Sequence, residues 1–96
     1  MPKKARRPRK TAESLIPKDK LAKEVARVLE QRELTQAEAA ELIEDAPSQV
    51  SLMVTGKTKG FSSERLLRTL VRLGRDVEIV VRKSKGREGK VRLSVR

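Results

Sequence analysis

Gln36, Ser48, Gln49, Ser51, Leu52, Thr55, Lys57 and Lys59 lie close together in the chain, and their side chains are equipped to recognise rather than to react. A glutamine amide sets a donor beside an acceptor, serine and threonine hydroxyls do both, and a lysine adds a compact positive charge. With an aliphatic side chain able to meet a thymine methyl, this is the set that reads base edges and grips phosphates. Bond-making chemistry is poorly served. The sequence has no cysteine and no histidine, so disulfides, thiolate metal sites and imidazole bases are unavailable. No motif places a nucleophile beside a base. The expectation is a protein that is not an enzyme, with no catalytic residue, metal or cofactor.

The charge supports a polyanionic partner. The net charge is +11 and the isoelectric point near 10.7, which favours nucleic acid first and an anionic surface second. The excess belongs to the ends. Lys3, Lys4, Arg6, Arg7, Arg9, Lys10 and Lys18 against Glu13 give one end +6, and Arg82, Lys83, Lys85, Arg87, Lys90, Arg92 and Arg96 against Glu88 give the other +6, so residues 19–81 carry −1. The lone aromatic, Phe61, and an apolar share of 36% allow only a thin core, for which help from a partner subunit is expected. No apolar run is long enough to span a membrane, and the basic amino terminus lacks the apolar stretch of a secretory signal. A cytoplasmic location without a membrane partner is expected.

The recognition residues need helices to hold them, and the pattern supplies these. Residues 1–17 read as a basic, disordered arm with little to bury. Leu21, Ala22, Val25, Val28 and Leu29 then recur at helical spacing in a first helix ending around Gln31 to Glu33. Thr35 with Glu38 forms a capping-box start for a second helix running to Ile43, with Leu34 stapling onto Ala39. Pro47 suits the first turn of a third helix reaching Thr55, where Gly56 is a left-handed stop. Ser62 caps a fourth helix, which is expected to bury Leu66, Leu67, Leu70, Val71 and Leu73 and to stop at Gly74, with Phe61 stapling onto Leu66. Val77, Ile79 and Val81, and later Val91, Leu93 and Val95, switch to period two and read as two strands of a hairpin. Three parts follow: the arm at 1–17, a helical domain at 18–75, and a basic strand or hairpin segment at 76–96.

A pair of short helices joined by a tight turn, the second ending in glycine, has the form of a helix-turn-helix. Thr35-Gln36 opens the first of the pair, Ala40 is small where the two must approach, and Val50 and Met53 face the core. From Leu34 to Gly56 the chain resembles the Xre or lambdoid-repressor type without a gap. The runs Leu34 to Leu42, Gly60-Phe61-Ser62, Arg65-Leu66-Leu67 and Leu73 to Ile79 resemble, more narrowly, the compact HigA-like antitoxins. The resemblance covers residues 19–82. It implies a mainly α, lambda-repressor-like bundle of about four helices followed by a carboxy-terminal β-strand or hairpin used in dimerisation. It also implies a homodimer on an inverted-repeat operator of double-stranded DNA, in a group often encoded beside a ribonuclease toxin.

Two positions depart from the family pattern. Glu44 stands where a glycine is usual and Asp45 where an apolar residue is usual, so the turn is expected to take another geometry, with Asp45 helping to cap the third helix. Pro47 occupies the first position of that helix, where an amide often reads adenine, so base reading must shift along the helix. Ser48, Gln49 and Leu52 are expected on one exposed stripe, and Lys57 and Lys59 beside the flanking phosphates. The reading is a sequence-specific DNA-binding regulator, a repressor, with autoregulation as an antitoxin its leading biology. The competitors are a toxin-neutralising protein-binding module and a basic protein binding nucleic acid without sequence preference. The lack of Tyr and Trp argues against single-strand recognition, which depends on stacking.

Overall fold

The computed structural model describes residues 15–96, so the proposed amino-terminal arm lies almost entirely outside the described residues. Four helices are defined: α1 (Lys18–Gln31), α2 (Gln36–Ile43), α3 (Pro47–Val54) and α4 (Ser63–Arg72). α1 is amphipathic as its spacing requires. It turns Leu21, Ala22, Val25, Val28 and Leu29 inward and packs against both α3 and α4, while α2 packs on α3. Ile16, just before α1, also rests on the core, so the chain is anchored slightly earlier than its composition indicates.

The helix starts follow local chemistry. In the capping box of α2, the Glu38 N–H donates to Thr35 Oγ1 at 3.0 Å and the Thr35 N–H to Glu38 Oε1 at 2.8 Å. At α4 the Arg65 N–H donates to Ser62 Oγ at 3.0 Å. Each such cap contributes about 1 kcal/mol. α3 has no capping side chain; Ala46 precedes Pro47, whose missing N–H would have lacked a helical partner in any case.

All four helices end in the same six-to-one closure, in which the N–H a few residues past the end bonds back to a carbonyl in the last turn. The bonds are Leu34 to Leu29 (2.8 Å), Asp45 to Ala40 (2.9 Å), Lys57 to Leu52 (2.9 Å) and Arg75 to Leu70 (2.9 Å). The closure requires a left-handed residue. Gly56 and Gly74 serve α3 and α4 with φ of 82° and 96°, and Glu33 and Glu44 serve α1 and α2 with φ of 54° and 58°. The expectation of a different turn at Glu44 is thereby corrected. The turn keeps left-handed geometry with a glutamate in it, because the surrounding contacts outweigh a cost of about 1 to 2 kcal/mol. Asp45 does not cap α3 either; its Oδ2 accepts from Arg65 and its Oδ1 from the N–H of Ala46, the residue before the helix, not from an N–H of α3.

The core joins Leu21, Val25, Val28, Leu29, Ala39, Ala40, Ile43, Val50, Met53, Phe61, Leu66, Leu70 and Leu73, with Leu34 and Leu67 packed at its edge. Val71, expected inside, is 55% exposed, and Thr69 is buried in α4, its hydroxyl bonded to the Arg65 carbonyl. A larger correction concerns residues 76–96. No strand is present among the described residues, and the carboxy-terminal strand or hairpin is not formed. Ile79 is 78% and Val81 91% exposed, whereas Leu93 is half-buried against the core. The chain does reverse, the Ser84 hydroxyl accepting from the Gly86 N–H and donating to the Glu88 carbonyl. A ladder does not follow. Two strands alone are marginal in water, and Arg82, Lys83, Lys85, Arg87, Lys90 and Arg92 crowd like charge around this turn.

Candidate nucleic-acid interface

α2 and α3 form the helix-turn-helix pair, and α3 offers its outer face to solvent. Val50 and Met53 are fully buried, which fixes the rotation of the helix. Ser48, Leu52 and Thr55 are thereby exposed at spacings of four and three residues, one stripe of a helix. Ser51 sits half-buried on one shoulder and Gln49 half-buried on the other. Of the expected stripe of Ser48, Gln49 and Leu52, Gln49 lies at the edge, half-buried, with its amide oxygen toward Arg65 of α4. Leu52, 37% exposed, is the apolar member of the outer face.

The hydrogen-bonding capacity of this face is partly used already. The Thr55 hydroxyl donates to the Ser51 carbonyl at 2.7 Å, so its oxygen can only accept. That suits a base amino group and not a phosphate, which has no proton to give. Gln36 is exposed at the first turn of α2. Lys57 and Lys59 are exposed on the loop that leaves α3, and neither is in an ion pair among the described residues. These lysines leave uncompensated positive charge at the end of α3.

α3 is held by its packing on α1 and α2, and α4 adds polar contacts to its flank and to the turn before it. Arg65 Nη2 donates to Asp45 Oδ2 at 2.5 Å and to Gln49 Oε1 at 3.4 Å, and its guanidinium stacks 4.7 Å from the Phe61 ring centroid. The Arg65 hydrogen bond, opposed by partial burial, holds the Asp45 carboxyl below its ordinary range. Farther along α4, Arg72 Nη1 donates to the Ile43 carbonyl at 3.2 Å and pairs with Glu44 at 3.5 Å. Arg72 thus reaches the turn from outside the motif. Arg65, Arg68 and Arg72 do not form an anion site, because Asp45, Glu64 and Glu44 pair with them in turn.

Neither Arg65 nor Arg72 stands out as functional in the sequence. The available signal was their spacing: Arg65, Thr69 and Arg72 make a polar stripe at helical period beside the apolar one of α4. Among the described residues no group of acidic side chains could hold a metal ion, and no helix is long and apolar enough to cross a membrane.

Comparison with known proteins agrees with this geometry. The family model of a helix-turn-helix domain matches residues 8–82. A solved structure of a protein described as an XRE family transcriptional regulator has 38% sequence identity and a TM-score of 0.69, covering 79% of this chain and 85% of that one. A search of curated proteins gave no match.

Proposed function

Since the chain belongs to the helix-turn-helix domain family, in its XRE type, we propose that it is a sequence-specific DNA-binding transcriptional regulator, a repressor, that lays α3 in the major groove. The observation that carries this reading is the composition of the exposed α3 stripe together with the uncompensated Lys57 and Lys59 at its exit. Ser48, Leu52 and Thr55, with Gln49 and Ser51 on the shoulders, would meet base edges. Gln36, Lys57 and Lys59 would meet the phosphates on either side. With Pro47 at the first position, reading begins at Ser48.

The chain works as a homodimer in this reading. The exposed Val77, Ile79 and Val81 leave an extended segment with unpaired backbone, and pairing with the same edge of a second copy would complete it. A two-fold pair would present the recognition helices about 34 Å apart, to an inverted repeat with half-sites roughly 10 bp apart. Residues 1–17 serve as a basic arm, 18–75 as the DNA-reading domain and 76–96 as the pairing segment, in the cytoplasm. The likeness of Gly60-Phe61-Ser62 and Leu73 to Ile79 to HigA-like antitoxins favours autorepression beside a ribonuclease toxin.

The test compares operator with scrambled duplex. Leu52→Ala should weaken operator binding by about 1 to 3 kcal/mol with little effect on scrambled DNA. Lys57→Ala and Lys59→Ala should weaken both and flatten the salt slope by about one unit each. Equal losses on both duplexes for Leu52→Ala would remove α3 as the reading helix.

A further inference from the structure

We propose that Arg65 is a specificity-determining positioning residue, which fixes the end of the Gln49 amide that is offered to DNA. The inference rests on the reading of α3 as the recognition helix. Arg65 belongs to α4, outside the helix-turn-helix pair, yet the same nitrogen, Nη2, reaches both Asp45 Oδ2 at 2.5 Å and Gln49 Oε1 at 3.4 Å. A guanidinium has donors only, so the amide must turn its oxygen toward it. The Gln49 NH2 group then points away from Arg65.

That orientation has a consequence for base choice. A glutamine free to present both ends reads adenine in a bidentate fashion, accepting from N6 and donating to N7. With the Gln49 oxygen turned to Arg65, one of its two lone pairs is taken and the NH2 end is the one turned to the groove. That end matches the paired acceptors O6 and N7 of guanine or O4 of thymine, whereas adenine offers it N7 alone, beside a competing N6 donor. At 3.4 Å the contact with Gln49 is longer than an ordinary hydrogen bond, and its hold comes from the charge and from how firmly the guanidinium is placed. Placement is secured on two further sides, by the Asp45 carboxylate and by the Phe61 ring 4.7 Å away. Asp45 is itself pinned, since its Oδ1 accepts from the Ala46 N–H at 2.8 Å and its own N–H closes α2 onto Ala40 at 2.9 Å. The turn, α4 and the Gln49 side chain thus form one connected set. Any loosening of Arg65 should reach the DNA at one base pair per half-site.

The experiment is selection from a randomised duplex library with the full chain, comparing wild type, Gln49→Ala, Arg65→Lys, Arg65→Met, Asp45→Asn and the Gln49→Ala/Arg65→Met double variant. Gln49→Ala should flatten preference at one position of each half-site. Arg65→Met should act at that same position, raising adenine at least threefold against guanine and thymine, and Asp45→Asn should shift it the same way by less. The double variant should match Gln49→Ala alone. Arg65→Lys, which keeps the charge but loses the planar fork, should shift the preference at that same position by less than Arg65→Met, whereas a purely scaffolding role would change no single position. If Arg65→Met loses its helical signal, Arg65→Lys and Asp45→Asn carry the test. Uniform loss of affinity across all sequences makes Arg65 a scaffold residue, and a change at a position that Gln49→Ala leaves alone makes it a reader; either overturns the proposal. A wild-type chain that enriches no sequence overturns the DNA-reading function itself, whereas enrichment that the Arg65 and Asp45 variants leave unaltered overturns the positioning role alone.

Discussion

The helical body, residues 18–75, and the segment at 76–96 both carry apolar patterns, but the body buries most of its pattern whereas the segment sets only Leu93 against the core among the described residues. In the body, every helix satisfies its own backbone and needs neighbours only for one face. Leu21, Val25, Val28, Met53 and Leu66 accordingly lie at or below 1% exposure. In the segment, Val77, Ile79 and Val81 alternate as a strand would, but a strand depends on another strand for its hydrogen bonds. The period of a sequence therefore states which conformation a stretch suits, while a ladder also needs a partner edge.

That contrast can be broken most decisively by removing the segment. Truncation after Arg75 should leave a folded helical body that sediments as a monomer and binds an inverted-repeat operator much more weakly. A truncated chain that still sediments as a dimer with unchanged binding would place the interface on the helices.

Point substitutions sharpen the same contrast. Met53→Ala, at a fully buried position of α3, should cost about 2 to 5 kcal/mol in denaturant unfolding. Ile79→Ala should fall within about 0.5 kcal/mol of wild type for the monomer while lowering its tendency to dimerise, measured by concentration-dependent sedimentation. A comparable loss of stability in both would mean that the segment is part of the monomer core.

The helix ends offer a smaller effect with opposite signs. Gly56 has φ of 82°, and a methyl group added there would meet nothing within 4 Å, so Gly56→Ala should cost about 1 kcal/mol through backbone strain alone. Glu44→Gly, which relieves the same strain at φ of 58°, should gain up to about 1 kcal/mol, offset by the loss of the exposed pair with Arg72. Thermal melts of the two variants should move in opposite directions.

The smallest effect is on acid stability. Arg65 holds the Asp45 carboxyl below its ordinary range, so the pair stabilises the fold fully above the unfolded value, about pH 4, and that contribution is lost as pH falls through the lower folded value. Asp45→Asn should lower the melting temperature at neutral pH and narrow its gap to wild type below about pH 4. A gap that stays constant into acid would deny the pair its role.

Most of the helical body was legible in the residues. Thr35 with Glu38, Ser62, Pro47, Gly56 and Gly74 mark helix boundaries because caps and left-handed stops act within a few residues of themselves, and their chemistry is carried by local sequence. Ser48, Leu52 and Thr55 were legible for the same reason: once Val50 and Met53 face inward, helical geometry places the others outward. What the sequence alone could not determine depended on residues far along the chain. Arg72, on another helix, pairs with Glu44 and with the carbonyl before it, a contact that the local sequence does not announce. Helix rotation puts Gln49 on the flank of α3, but only the fold brings Arg65 to its amide oxygen. The aliphatic side chains at 77–81 remain exposed because pairing is a long-range event, and period two specifies an extended backbone without specifying the edge that would meet it.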